Sequence, residues 1–283
     1  MTLLGTGARS VVWRPATWAL GAVEARRLLR HPVYPVALSY VAAIAAAGIV
    51  RRETGPAANF GYIVAALALL LGYAPATLVA ANRVAAATFR SRVREPLDST
   101  PVDDRQRTVA VILGLVRGPV LVGLATAGLL LVVGEFTTPY PERRVDVVYQ
   151  RTALEYLQLP ALVLGAGLLG VAVARWLPWP GALPSTVLVV WLGTIATYQS
   201  STTGTVADPA WFALWPVWIA TDEGMLPRQP LGQEMWHLAY LLGLGLLAGV
   251  AALLRTDGPR RALWTTAAVL GAATAVAGWR QTG

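Results

Sequence analysis

Residues 109–134 read VAVILGLVRGPVLVGLATAGLLLVVG, and one charge, Arg117, interrupts them. A helix needs about 20 apolar residues to cross the hydrocarbon layer of a bilayer. This run is therefore read as a membrane span rather than the buried face of a soluble helix. Comparable runs lie on both sides of it, and seven spans are expected: 33–50, 60–81, 109–134, 157–176, 183–198, 235–254 and 262–279. Of the 283 residues, 55% are hydrophobic and 13% charged, which favours one polytopic bundle over one or two soluble domains. The expected fold class is all-α. It comprises six core spans and a seventh at the C-terminal side, an amphipathic helix before the first span, and interfacial or re-entrant helices between the fifth and sixth. Met1 to Pro15 lacks a short apolar core with a small-residue cleavage site, so no cleaved leader is expected.

Two residue types are missing. All 23 basic residues are Arg, and there is no Cys. A phosphate-binding loop of the G-x-x-x-x-G-K-[ST] type needs its Lys, so the chain carries no ordinary nucleotide-hydrolysing site of that kind. Schiff-base and thiol catalysis are excluded with it, as are disulfides. No nucleophile–base arrangement is visible, and no enzyme activity, metal or bound cofactor is expected of this chain. The net charge of +8 is assigned to loops on one side of a membrane, not to nucleic acid.

Arginine placement sets the orientation. With the N-terminus cytoplasmic, the inner segments hold fifteen arginines and the outer segments seven, with Arg117 inside a span. The map divides into a cytoplasmic segment 1–32, a cytoplasmic loop 82–108, an extracellular Trp-rich segment 199–234 and the extra span 262–279. Indole rings favour the headgroup region. Trp176, Trp179 and Trp264 fall at expected inner boundaries, and Trp236 and Trp279 at outer ones.

The densest charge lies between Arg83 and Arg107. Arg83, Ala87, Arg90 and Arg94 share one helical face, so the second span is expected to continue as a basic stalk. Pro96 ends that helix near Arg94. Pro101, followed by Val102, Asp103 and Asp104, marks a new helix start with acidic residues in its first turn. A plain positive-inside loop accounts for the arginines, but not for the acidic cluster or the two prolines. The segment from Trp18 to His31 is also amphipathic, with Trp18, Ala22, Ala25 and Leu29 on one face and Arg26, Arg27, Arg30 and His31 on the other. Such a helix lies flat at the inner interface.

Two of these stretches carry a resemblance. Glu24-Ala25-Arg26-Arg27-Leu28-Leu29-Arg30 resembles the amphipathic connecting helix of ABC type-2 exporter permeases. Glu95-Pro96-Leu97-Asp98-Ser99-Thr100-Pro101, with Asp103 and Asp104 after it, resembles their loop after the second span. The resemblance covers roughly residues 17–254, and the seventh span departs from the family's usual six. It implies that Glu95, Pro96, Leu97, Asp98, Ser99, Pro101, Asp103 and Asp104 dock on a separate cytoplasmic ABC ATPase subunit, which would hold the ATP and Mg. It also implies a second permease, identical or related, and an elbow helix carrying Glu24, Arg26, Arg27 and Arg30. Trp211, Trp215 and Trp218 occupy one helical face where the family has outer re-entrant helices; a gate and a plain interfacial anchor are both open for them.

Arg117 either snorkels to the inner interface or faces the bundle and needs an acceptor. Glu155 and Gln158, near the outer end of the fourth span, are weaker instances. Residues 165–170, GAGLLG, spell a dinucleotide fingerprint, but they lie mid-span with no preceding strand and read as close helix packing. Gly245 and Gly249 read as a second packing face, open to use between subunits. His31 and His237 lie too far apart to form a metal pair within the chain. The leading expectation is an ABC exporter permease moving an amphipathic or hydrophobic substrate. Its rivals are a secondary transporter, for which Arg117 and Pro75 are the main support, and a membrane scaffold or sensor.

Overall fold

A computed structural model describes residues 15–50, 64–87, 103–136, 152–202 and 232–281. These form eight helices, with no strand among the described residues. α1 is Pro15–Leu29, α2 is Val33–Val50 and α3 is Val64–Ala87. α4 runs from Asp104–Leu115 through a π-helical turn at Val116–Val120 into Leu121–Phe136. α5 is Ala153–Trp176, α6 Ala182–Thr202, α7 Gln233–Leu254 and α8 Arg260–Arg280. Five stretches are long and apolar enough to cross a membrane: Val64–Ala87, Asp104–Val133, Ala153–Trp176, Gln233–Leu254 and Arg260–Arg280. Val33–Ala43 and Ala182–Ala196 are shorter apolar helical stretches. The chain is a multi-pass helical membrane protein.

α5 is the central helix, packed against α3, α4 and α7. Lipid tails are as apolar as leucine, so helices in a bilayer associate through close packing and hydrogen bonds rather than through water exclusion. Residues 165–170 of α5 supply that closeness. A Cβ on Gly170 would overlap the Leu78 carbonyl oxygen of α3, one on Gly167 would lie 2.7 Å from Leu115 of α4, and one on Gly245 of α7 would lie 3.0 Å from the Gly165 Cα. Asn82 of α3 uses the first approach, donating from Nδ2 to the Gly170 carbonyl at 3.1 Å in the buried core. Gly249 meets Leu168 of α5. The Gly245–Gly249 face left open to intersubunit use above therefore packs within one chain.

Among the described residues, two helices contain a π turn, and each turn lies at or just before a proline. Proline lacks an N–H and its ring clashes with the carbonyl four residues back. A π turn relieves this by shifting the bonding register. Pro119 lies inside the turn Val116–Val120, and Pro75 follows the turn Ala68–Tyr73 in α3. The two turns are joined by the Tyr73 hydroxyl, which donates to the Pro119 carbonyl at 3.3 Å. Thr77 donates to the Tyr73 carbonyl at 2.9 Å and lies 3.2 Å from the Tyr34 hydroxyl of α2.

Gly170→Ala tests the packing. The added methyl meets backbone, which cannot rotate away, so the change should destabilise the detergent-solubilised protein by about 1–3 kcal/mol. Gly271→Ala, with open space around it, should be neutral or gain up to about 1 kcal/mol from helix propensity. Chemical unfolding followed by circular dichroism reads both.

Candidate functional site at the charged end of the bundle

One end of the bundle gathers the start of α4, the end of α5 and the turn between α7 and α8, and α1 runs alongside the first half of α4 from there. α4 begins where the acidic residues after Pro101 suggested. Asp103 is its N-cap: its Oδ1 accepts from the Gln106 backbone N–H at 2.6 Å, and its own N–H donates to Gln106 Oε1 at 3.2 Å. This capping box satisfies two backbone donors that a helix start would otherwise leave bare.

Asp104 reaches the other way. Arg175, in the last turn of α5, donates from NH1 to Asp104 Oδ2 at 2.6 Å and from NH2 to the Thr108 hydroxyl. Thr108 in turn donates to the Asp104 carbonyl at 2.8 Å. The Arg175 side chain is 2% exposed and that of Asp104 39%. A guanidinium buried so deeply is tolerable only with a paired carboxylate and further acceptors. Arg105 lies against Gly258 of the α7–α8 turn, whose φ of 156° favours glycine. Trp176 Nε1 donates to the Ala251 carbonyl at 2.8 Å, and Arg255 stacks 4.9 Å over the Trp176 ring. The first turn of α4 is thus tied to α5 and seated on the α7–α8 turn.

α1 packs on α4 through small residues. Its buried positions are Thr17, Gly21, Glu24, Ala25 and Leu28. A Cβ on Gly114 would come within 3.0 Å of Glu24 and Ala25, and one on Gly118 within 3.3 Å of Ala25 and Leu29. The apolar face read from the sequence, Trp18, Ala22, Ala25 and Leu29, coincides with the buried positions only at Ala25. Leu29 is exposed, and Glu24, expected among the polar elbow residues, lies on the packed side. Close approach at the Gly114–Gly118 pair outweighs side-chain polarity in choosing the contact face. Arg26, Arg27 and Arg30 are exposed as expected, and Arg27 comes within 3.7 Å of Glu24.

Arg117 reaches back to α1. It donates from NH1 to the Trp18 carbonyl of α1 at 2.8 Å, and its guanidinium lies 4.2 Å from the centre of the Trp18 ring. This combined hydrogen bond and cation–π contact fastens α1 to the π turn of α4.

Burial holds the Glu24 carboxyl above the usual carboxylate range, with Arg27 only partly offsetting it, and Glu24 Oε2 is buried without a hydrogen-bond partner among the described residues. His31 is shifted the other way, below the ordinary imidazole value, by burial and then by the charge of Arg83. Its Nδ1 accepts from the Val33 N–H at 3.3 Å and starts α2.

Glu95, Pro96, Leu97, Asp98, Ser99 and Pro101 lie outside the described residues, as do Trp211, Trp215 and Trp218. Of the expected docking residues, the structure places Asp103 in a cap and Asp104 in an ion pair. Sequence reading missed the partner, Arg175, which had served only as a topology count; its position five residues beyond Gly170, in the last turn of a packed span, was the available signal. It also underrated the opposite end, where Glu155, Gln158, Glu234 and His237 are all buried. There Gln158 Nε2 donates to the Glu234 carbonyl at 3.3 Å, and His237 Nδ1 lies 2.9 Å from Gln281 Oε1. No group of three or more metal-ligating residues occurs among the described residues. No family model matches the chain, and no curated protein or solved structure is significantly similar to it.

Removing Asp104 should be costly although that carboxylate is itself partly exposed. Asp104→Asn should destabilise by about 1–3 kcal/mol, because the buried Arg175 loses its charged acceptor, and Asp104→Leu with Arg175→Met should recover most of that. Glu24 gives a pH signature. With its value raised in the folded state, its favourable contribution is complete below about pH 4.5 and disappears as pH rises through the raised value. Glu24→Gln should therefore raise Tm at pH 8, by about 2–4 °C per kcal/mol regained, and the gain should shrink toward pH 4. Thermal melts at the two pH values check it.

Proposed function

We propose that the chain is the membrane-spanning permease subunit of an ABC exporter of the type-2 kind. In this reading it has six core spans and an added seventh, lies in the cell membrane with its N-terminus cytoplasmic, and pairs with a second permease. Separate cytoplasmic ATPase subunits hold ATP and Mg, dock on residues 95–101 and drive an amphipathic or hydrophobic substrate outward. The arginine excess on the α1 side supports the orientation.

The observation that carries the reading is the Asp104–Arg175 pair with its Thr108 bond. Asp104 follows Pro101 by three residues, so displacement of the preceding segment reaches a helix start that is already fastened. Such a push is not absorbed by a slack loop. It moves the first turn of α4, and with it the end of α5 and the α7–α8 turn. Arg117 carries α1 along, as an elbow helix should be carried. The π turns at Ala68–Tyr73 and Val116–Val120 supply the places where α3 and α4 bend most easily.

A second reading has its own support. Glu155, Glu234 and His237 are buried near one end, and Glu234 Oε2 has no hydrogen-bond partner among the described residues. Buried ionisable groups in spans mark proton and ion pathways in secondary transporters.

Co-purification with a soluble ATPase encoded beside this chain separates the two. Glu95→Arg or Asp98→Arg should release the ATPase or cut ATP-driven transport at least about tenfold, since like-charge or misplaced contacts at a docking surface cost more than about 1.4 kcal/mol. A bound ATPase unaffected by both changes removes the docking assignment. Transport that continues without any ATPase and collapses with the proton gradient gives the secondary-transporter reading instead.

A further inference from the structure

α6 stands off from the bundle. Its inward face carries Leu183, Val187, Val190 and Trp191, which are half-buried, while Leu188, Val189 and Leu192 on the other side are exposed. Three cavities border that inward face, one at the start of α6 and two side by side further along, the second towards α2 and the third between α3, α5 and α7. At the α1 end, Leu183 and Pro184 border one of about 320 Å³ together with Asn82, Arg83 and Trp179. Val187 and Trp191 border the next, of about 300 Å³, and Val190 the third, of about 290 Å³. Pro75 of α3 lines both of the deeper cavities.

The cavities are graded in polarity. The first holds a guanidinium, an amide and an indole, and the Trp179 ring occupies the space where a Cβ on Gly181 would fall. Neither deeper cavity has a charged lining residue. The third is lined almost wholly by aliphatic side chains and glycine, including Leu78, Leu169 and Leu241. An apolar cavity of this kind holds no water and accepts hydrocarbon. A mere packing defect would show no order of charge. Here the cation sits at the helix end, where headgroups lie, and the apolar space lies at mid-helix, where acyl chains lie. From Leu183 to Val190 the helix rises about 10 Å, so an occupant must carry a chain of at least that reach.

We propose that the cleft between α6 and α3 binds an anionic amphiphile, its charged head at Arg83 and Trp179 and its hydrocarbon chain along the Leu183–Val187–Val190 stripe. This concerns binding alone and holds whether or not an ATPase drives the chain. Native mass spectrometry of the full chain in detergent tests it with phosphatidylglycerol and phosphatidylcholine of equal chain length. The wild type should retain phosphatidylglycerol about fivefold better, the size of one arginine near an anionic headgroup, and Arg83→Gln should abolish the preference. Val190→Trp should lower retention of both lipids about tenfold, whereas Leu188→Trp on the outward face should change nothing. Brominated acyl chains give a reading free of any packing change: they should quench wild-type tryptophan fluorescence more than that of Trp191→Phe. The inference is overturned by equal retention of the two lipids, by a preference that survives Arg83→Gln, or by equal quenching of wild type and Trp191→Phe. Displacement of the lipid by millimolar inorganic phosphate would overturn it too, since the site would then read phosphate without a chain.

Discussion

Backbone-to-backbone approach at α5 is the constraint on which the bundle depends. Where lipid surrounds the helices, burial of leucine against leucine gains little over leucine against lipid. What distinguishes one arrangement from another is how closely two backbones approach and which polar groups they join. Gly165, Gly167 and Gly170 let α7, α4 and α3 reach α5 on three sides within two helical turns. The Asn82–Gly170 bond exists only because the third approach is so close. The same logic recurs at the α1–α4 contact through Gly21, Gly114 and Gly118.

Around that glycine-lined centre, the two ends of the bundle are built differently. The α1 end is tied by charge: Asp104 to Arg175, Arg117 to Trp18, Arg255 to Trp176. Each tie joins different helices, so the end behaves as a frame. The opposite end holds buried carboxyl and imidazole groups instead. Between them, the π turns of α3 and α4 meet through Tyr73 and Pro119. Rigid ends with irregular turns between them suit a bundle that changes shape by bending at mid-height. α6, bordered by cavities, has the loosest hold on the rest.

Some of this was legible in residue order. The long apolar runs gave helices, Pro101 with Asp103 and Asp104 marked a helix start, and residues 165–170 were recognisable as a packing face because no strand preceded them. The α1 contact face was not legible. Apolar periodicity placed Trp18, Ala22, Ala25 and Leu29 on one face but named no helix for α1 to meet; the side packed on α4 includes Glu24 and leaves Leu29 exposed, because α4 offers Gly114 and Gly118 there. For Arg117 the sequence left open an interfacial position and a bundle-facing one with an acceptor. Its acceptor is a backbone carbonyl 99 residues away, and a carbonyl leaves no mark in a sequence.

By itself the sequence determined that this chain is a multi-pass helical membrane protein, and that it has no lysine with which to bind ATP in the ordinary loop. Those properties follow from composition and local periodicity, which act over a few turns of helix. Only the tertiary structure decided which helix is central, that Arg175 rather than solvent answers Asp104, and that α6 leaves a graded cleft beside α3. Each of these depends on the distance between backbones far apart in the chain. In a bilayer that distance is set by where a missing Cβ on one helix meets the surface of another.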